Sequence, residues 1–301
     1  MGAPLDGILI VDFSQFLAGP YASLRPLDMG ARVIKVENPA GGDLCRRHYL
    51  TDTEIDEDST LFHAINRGKE SIALNLKAPD DFEKARRLIA HADVVIQNFR
   101  PKILARLGLG YDAVKALKPD IIYGSVSGYG ETGAWSEAPG QDLLAQARSG
   151  IMWLSGNAED GPVPLGIPIA DITAGGNLAQ GLLGALFRRA TSGKGALVET
   201  SLLKALVDLQ FAVSHNLLHQ WRKTSGRLAK GSAHGYAVPA ECHARHWHGV
   251  HGAQRNLQSP ERPLSDAKRC GMGGPACSQG HLVHQGSWLV RAAGLGCVRQ
   301  A

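Results

Sequence analysis

Short apolar runs rich in β-branched residues recur through the first half of the chain, with amphipathic stretches between them. The amphipathic stretches at Pro79–Ala92 and Gly110–Leu117 predict helices. The apolar runs predict strands at Gly7–Phe13, Ala31–Glu37, Ser71–Leu76, Asp93–Phe99 and Asp120–Val126. Strands that alternate with helices usually form a parallel sheet covered on both faces.

The alternation continues beyond Pro139. The pattern predicts helices at Gln141–Ser149, Thr173–Ala190 and Leu202–Trp221, and a strand at Ala196–Ser201. Right-handed crossovers leave few other ways to connect such elements. We therefore predict an α/β fold with a Rossmann-like, mainly parallel sheet and helices on both faces.

The pattern ends near Glu241. Residues 241–301 contain no Ile, Phe, Tyr or Thr and show neither a helical nor a strand period across most of their length. Strands favour the β-branched and aromatic residues that are missing here. We expect a large domain over residues 1–224, and over 225–301 a linker and a poorly ordered tail, best explained by a frame shift or another aberration.

Composition excludes several classes of protein. Apolar residues make up 44% and charged residues 20% of the 301 residues, as in globular proteins. With no signal peptide and no membrane span in the pattern, a soluble cytoplasmic protein is expected. The net charge of +4 arises in residues 241–301, so it does not indicate a nucleic-acid partner. Five cysteines, four of them beyond residue 241, do not indicate a disulfide framework.

Asp171 lies between an extended segment and a predicted helix start, in the sequence Ile-Pro-Ile-Ala-Asp171-Ile-Thr. Aspartate is a favoured N-cap, and locally this structural interpretation is the stronger one. The alternative is a nucleophile among small neighbours, kept ionised by the helix dipole. The local sequence leaves both interpretations open.

The segment Gly128–Gly133 matches the spacing G-x-G-x-x-G and directly follows a predicted strand. A dinucleotide site would require a helix to open immediately, whereas Pro139 interrupts the following segment. A glycine-lined turn is the favoured interpretation over a nicotinamide-binding site.

Two further groups of residues suggest binding. Cys242 and the histidines that follow it have irregular spacing, so no metal site is expected. Lys77, Arg100, Lys102 and Arg106 lie near predicted strand ends, where open parallel sheets bind ligands, although most such residues are solvated surface.

From about Leu5 to Pro239 the chain resembles the class III CoA-transferases. The motifs that carry the resemblance are Phe16-Leu-Ala-Gly-Pro-Tyr21, Gly30–Glu37, Gly42-Asp43, Asn66–Ile72, Gln97–Pro101, Gly110-Tyr-Asp112, Ser127–Gly133, Pro139–Asp142 and Gly193–Gly195. The segment Ala233–Pro239 looks most like the succinate–hydroxymethylglutarate branch. In the family a small second domain follows, so residues 225–301 would be its aberrant remnant.

The resemblance implies that Asp171 is the catalytic nucleophile, and that Gln141 and Asp142 are its neighbours. It also implies a coenzyme A site, formed by Leu17, Ala18, Lys77, Asn98, Phe99 and Arg106. The implied enzyme exchanges CoA between an acyl-CoA donor and a carboxylic acid acceptor, through an aspartyl-CoA thioester. Coenzyme A is then a substrate, with no tightly bound cofactor, no metal, and neither a nucleic-acid nor a membrane partner.

Two alternatives to an active transferase remain. One is an inactive, truncated family member, because relatives are longer and form homodimers through the C-terminal part that is unrecognisable here. Pro26, inside the first predicted helix, is a second departure. The other is a 2-methylacyl-CoA racemase, although Gln141 stands where racemases of the family carry a histidine.

Overall fold

The chain is described here by a computed structural model, which covers residues 2–48, 53–157 and 159–216. The strands in this part are β1 (Leu9–Asp12), β2 (Arg32–Glu37), β3 (Glu54–Ile55), β4 (Asp58–Ser59), β5 (Glu70–Ala73), β6 (Val94–Gln97), β7 (Ile122–Ser127) and β8 (Ala196–Ser201). The strands β3 and β4 form a small antiparallel hairpin.

The other six strands form one sheet in the order β5-β2-β1-β6-β7-β8, and every neighbouring pair is parallel. The chain leaves β1 toward one edge of the sheet, and then returns to β6 and builds outward to the other edge. The gap between β1 and β6 is therefore the topological switch point, where doubly wound sheets bind ligands at their carboxyl ends. The predicted Rossmann-like parallel sheet is confirmed.

Alternate strand residues separate the core into two layers. One face carries Ile10, Val33 and Ile122, and the opposite face carries Val11 and Tyr123, all of them buried. This period of two follows from the pleat of the backbone. Both faces are apolar because helices cover both.

The helices are α1 (Ala18–Leu27), α2 (Thr60–Asn66), α3 (Pro79–His91), α4 (Ile103–Arg106), α5 (Tyr111–Leu117), α6 (Asp142–Ser149), α7 (Ile169–Ser192) and α8 (Leu202–Leu209). The first core layer contains residues of α1, α6, α7 and α8, and the second contains residues of α3, α4 and α5. Because α1 follows β1 and α7 precedes β8, both helices begin at the carboxyl edge of the sheet.

Three differences from the sequence-based expectations have local causes. Pro26 lies inside α1, but only in its last turn, where its carbonyl oxygen accepts from Met29 and Ala31. The helix α7 begins at Ile169, four residues before the expected start. The short elements α2, α4, β3 and β4 were not predicted, because two to seven residues show no period.

Several predictions concern residues outside the described part. These are the tail over 225–301, the cysteine–histidine cluster from Cys242 and the last five residues of the helix predicted to end at Trp221. Within the described part that helix, α8, already ends at Leu209, where Gln210 caps it, so the predicted length of one continuous helix is wrong. Within the described part, no helix has the length and apolar character needed to cross a membrane.

Candidate active site

The loop that follows β1 crosses the switch point. Asn98, which follows β6, donates its side-chain amide to the Gln15 carbonyl at 2.6 Å and accepts from the Gln15 backbone N–H at 2.8 Å. The next residue, Phe16, has a left-handed φ of +60° and an exposed side chain. A non-glycine residue in this conformation is held there by its surroundings. Residues 15–18 are thus fixed at the carboxyl edge of the sheet.

A network of buried charged side chains stabilises the loop after β1. Asp12, at the end of β1, accepts from the backbone N–H of Ser14 at 2.9 Å and from Ser23 Oγ at 2.5 Å. Lys69 Nζ lies 3.3 Å from Asp12 Oδ2. Burial would raise the pKa of Asp12. The positive charges of Lys69 and Lys35 and the hydroxyl groups of Ser14 and Ser23 outweigh burial and lower that pKa. Asp12 therefore stays ionised.

Lys35 and Asp43 form a second buried pair, with 2.8 Å between Nζ and Oδ2. Lys35 Nζ also donates to the Ser14 carbonyl at 2.7 Å, and Asp43 Oδ1 accepts the Phe16 backbone N–H at 3.0 Å. No role was predicted for these residues from the sequence. Asp12 and Lys35 lie inside apolar strand runs, where an unpaired charge would be costly, and this position could have indicated that they are paired.

Asp171 is the third residue of α7. Pro168 occupies the N-cap position, without a side-chain cap, so the interpretation of Asp171 as an N-cap is wrong. The Asp171 backbone N–H donates to Asp142 Oδ2 at 3.0 Å. Gln146 Nε2 donates to Asp142 Oδ1 at 2.6 Å, which orients that carboxylate.

The electrostatics of Asp171 differ from the sequence-based expectation. Burial, and then the negative charge of Asp142, raise the pKa of the Asp171 carboxyl to about 7. The helix dipole was expected to keep this group ionised, but desolvation and a like charge outweigh that effect. Among the described residues, no hydrogen bond or ion pair involves the Asp171 carboxylate. Near neutral pH both protonation states are populated.

The helices α1 and α7 bring the loop and Asp171 together. A Cβ added at Gly175 would lie 2.5 Å from the Ala18 carbonyl oxygen, so only glycine allows this approach. One turn earlier on α7, Ile172 packs in the same cluster as Leu17. The first turns of α1 and α7 therefore adjoin each other at the carboxyl edge.

The other predicted site residues differ in burial and position. Phe99 is half-buried and packs against the second core layer, directly after Asn98. Lys77 and Arg106 are exposed, the first before α3 and the second at the end of α4. Gln141 is the exposed N-cap of α6. The structure thus joins Leu17, Ala18, Asn98, Asp142 and Asp171, and leaves Lys77 and Arg106 on the surface.

The glycine motif Gly128–Gly133 forms a loop after β7, as predicted, and the next helix begins only at Asp142. A Cβ at Gly128 would lie 2.5 Å from the Gly140 Cα, so the loop closes where two glycines cross. No group of three or more histidine, cysteine or acidic side chains in the described part could hold a metal ion. Cys45 is buried, and burial raises the pKa of its thiol to about 12.

Comparison with known proteins identifies the family. The model of CoA-transferase family III matches residues 5–246. This chain belongs to CoA-transferase family III. Among its relatives, succinate–glutarate CoA-transferase of Agrobacterium fabrum is 38% identical over 79% of this chain and 60% of its own length. Succinyl-CoA:glutarate CoA-transferase of Mus musculus is 37% identical over 78% of this chain and 53% of its own length.

A solved structure gives the same result. The crystal structure of a CaiB/BaiF family protein from Brucella suis is 36% identical, with a TM-score of 0.69 over 79% of this chain and 63% of that chain. The family III chain described here spans little more than half the length of the curated relatives it matches. The Asp171 carboxylate lies in the first turn of the 24-residue helix α7 and has no hydrogen-bond or ion-pair partner among the described residues.

Proposed function

We propose that this chain exchanges coenzyme A between an acyl-CoA donor and a carboxylic acid acceptor, with Asp171 as the nucleophile. The observation that carries the proposal is the Asp171 carboxyl, placed at the start of α7 beside α1 and left without an ion-pair partner among the described residues. A carboxylate whose pKa is raised to about 7 is more basic than an ordinary one, and its ionised form is accordingly more nucleophilic.

The proposed reaction begins when an Asp171 oxygen attacks the donor carbonyl carbon. The C–O bond forms, the C–S bond breaks, and a mixed anhydride and the CoA thiolate result. The thiolate then attacks the aspartyl carbonyl, which releases the donor acid and leaves an aspartyl-CoA thioester. An acceptor carboxylate repeats both steps in reverse, so the new acyl-CoA leaves and Asp171 is regenerated. Over each pair of steps one C–S bond breaks and another forms, so the bonds balance across the full cycle.

Backbone amides of α1 are suited to stabilise the oxyanion that forms in each attack. The N–H groups in the first turn of a helix lack intrahelical acceptors. Pro20 has no N–H, which leaves Ala18 and Gly19 as the candidate donors of this turn. The turn packs against α7 at Gly175, four residues after Asp171. Donors fixed in advance are worth more than donors that must reorganise.

The acids are proposed to be dicarboxylic. The names of the curated relatives specify succinate, glutarate, oxalate and mesaconate. The homodimer that the family resemblance implies and the cytoplasmic location expected from the sequence pattern remain predictions. The coenzyme A site also remains a prediction, formed by Leu17, Ala18, Lys77, Asn98, Phe99 and Arg106. A racemase is less consistent with the site, because the exposed Gln141 carries a neutral amide that cannot move a proton.

Mass spectrometry of the full chain tests the proposal. After incubation with succinyl-CoA, we expect a CoA adduct on Asp171, which hydroxylamine converts to a hydroxamate at the same residue. Asp80→Asn, in the exposed first turn of α3, is the matched control and should form the adduct as the wild type does. An adduct on another residue would refute Asp171 as nucleophile. Deuterium incorporation at the α-carbon without an adduct would indicate racemase chemistry instead.

A further inference from the structure

Arg148, near the end of α6, contacts the aromatic rings of Tyr129 and Trp135. Its Cζ lies 4.4 Å from the ring centroid of Tyr129 and 4.7 Å from that of Trp135. The two rings meet edge to face, with centroids 5.9 Å apart. The guanidinium therefore lies in the angle between the two rings, and these two cation–π contacts restrain its position.

Two polar atoms of this cluster, Arg148 Nη1 and Tyr129 Oη, are buried, and among the described residues neither has a hydrogen-bond partner of good geometry. The Arg148 side chain is close enough to the phenol to act to lower its pKa. Within the described part of the chain, no carboxylate pairs with Arg148, whereas Lys35, Lys69 and Arg46 each contact one. Arginine cannot release its proton, so a buried donor without an acceptor is costly. An anionic ligand would supply the acceptor.

The cluster lies at the same edge of the sheet as Asp171. Tyr129 follows the end of β7 by two residues, and the crossing of Gly128 and Gly140 closes the loop that carries Trp135. The helix α6 begins at Asp142, which accepts the Asp171 backbone N–H. Because Arg148 contacts Tyr129, which follows the carboxyl end of β7, its guanidinium lies at this edge of the sheet.

We propose that Arg148, with the hydroxyl of Tyr129, binds the distal carboxylate of a dicarboxylic acyl group whose other end reacts at Asp171. The inference rests on the proposed transferase function and adds the residue that selects the acid. A planar guanidinium accepts a carboxylate through two parallel hydrogen bonds, and a phenol adds a third donor. Burial raises the pKa of Tyr129 against the opposing effect of Arg148, so the phenol keeps its proton.

Selectivity follows from the same contacts. A monocarboxylic acid of equal length would leave Arg148 unpaired, and a site that must bury an unpaired charge rejects such a ligand strongly. The phosphates of coenzyme A offer the same anionic chemistry, so the experiment must separate the acid from the coenzyme.

Equilibrium binding to the full chain, measured by calorimetry, requires no turnover. Glutarate, pentanoate and coenzyme A are the three probes, and Arg148→Met, Arg148→Lys and Tyr129→Phe are the variants. We expect the wild type to bind glutarate and not pentanoate. Arg148→Met should weaken glutarate about 10- to 100-fold, Arg148→Lys somewhat less, and Tyr129→Phe about 3- to 10-fold. Coenzyme A binding should stay unchanged.

Arg86→Met, an exposed arginine on α3, is the matched control and should bind all three probes as the wild type does. Circular dichroism verifies that each variant folds. If Arg148→Met does not fold, Tyr129→Phe, which loses a single oxygen, still tests the proposal. The proposal is overturned if the wild type does not bind glutarate, if the Arg148 variants keep the preference over pentanoate, or if they weaken coenzyme A instead. Failure of the proposed function would appear separately, as absence of the Asp171 adduct.

Discussion

Two buried aspartates at the carboxyl edge of the sheet differ in their partners. Asp12 accepts hydrogen bonds from Ser14 and Ser23 and lies beside Lys69, and its pKa is lowered despite burial. For Asp171, Asp142 is the charged neighbour within the described residues, and burial together with that like charge raises the pKa of Asp171 to about 7. Desolvation is similar in kind at both positions, so the partners decide the outcome. A carboxylate saturated with partners can hold a loop, whereas a carboxylate left without them can react.

The largest expected effect is the loss of transfer in Asp171→Asn. An amide lacks the anionic oxygen to which we assign the attack on the thioester, so we expect transfer from succinyl-CoA to fall by about 10⁴-fold or more. The fold should remain, because the native state already favours the uncharged form at this position. Steady-state kinetics and thermal unfolding check the two halves of the prediction. Substantial activity in a folded variant would remove the distinction between the two aspartates.

The same substitution at the other aspartate should act on stability instead. Asp12→Asn leaves Lys69 buried without its ion partner, and breaking a buried pair costs about 3–5 kcal/mol. Adding Lys69→Met should restore part of this loss, because no unpaired charge then remains. Urea unfolding of the two single variants and the double variant measures the coupling. Equal stability of Asp12→Asn and the wild type would show that the network does not hold the loop.

The contact between α1 and α7 is expected to be sensitive to a single methyl group. Gly175→Ala places a carbon 2.5 Å from the Ala18 carbonyl oxygen, so the helices must separate. Such overpacking typically costs about 1–3 kcal/mol, and it would also move the Ala18 amide away from Asp171. We expect a lower melting temperature together with a reduced kcat. As a control, Gly176→Ala has open space around its Cβ and should change little.

The smallest effect concerns pH. The pKa of Asp171 is raised in the fold, so its contribution to stability is present below the ordinary aspartate pKa of 3.8 and is lost as pH rises through about 7. The pKa of Asp12 is lowered, so its contribution is present above 3.8 and is lost as pH falls through the lowered value. As the pH rises across this range, the unfolding midpoint relative to the wild type should therefore rise in Asp171→Asn and fall in Asp12→Asn.

Activity should rise with pH as Asp171 ionises. Asp142→Asn removes the like charge but keeps an oxygen for the Asp171 backbone N–H, so we expect the rising limb to move to lower pH. The limiting rate should change by less than about 10-fold, since the nucleophile stays in place. An unshifted pH–rate profile would mean that burial alone sets the pKa.

The sequence analysis predicted the main sheet well for a physical reason. The strand runs are apolar on both faces, and a parallel sheet buried under two helical layers requires this pattern. All six main strands occur within a few residues of their predicted positions. The short helix α2 and the β3–β4 hairpin were not predicted, because their few residues form no apolar period.

The candidate site was predicted less completely. The family resemblance singled out Asp171, whereas the local sequence alone favoured an N-cap, which proved wrong. Leu17, Ala18 and Asn98 were also proposed from resemblance, and they meet at the switch point. Nothing in the local sequence indicated the cluster of Tyr129, Trp135 and Arg148, because its members are separated along the chain and meet only when the loop closes.

The sequence by itself determined the class of fold, the order of its elements and the family, because periodicity and ordered motifs are properties of neighbouring residues. The tertiary structure alone decided which charges are paired. Lys69 reaches Asp12 across 57 residues, and Asp142 reaches the Asp171 backbone across 29. A pKa depends on the distance to other charges and on the water that the fold excludes, and both are set only when distant segments pack together.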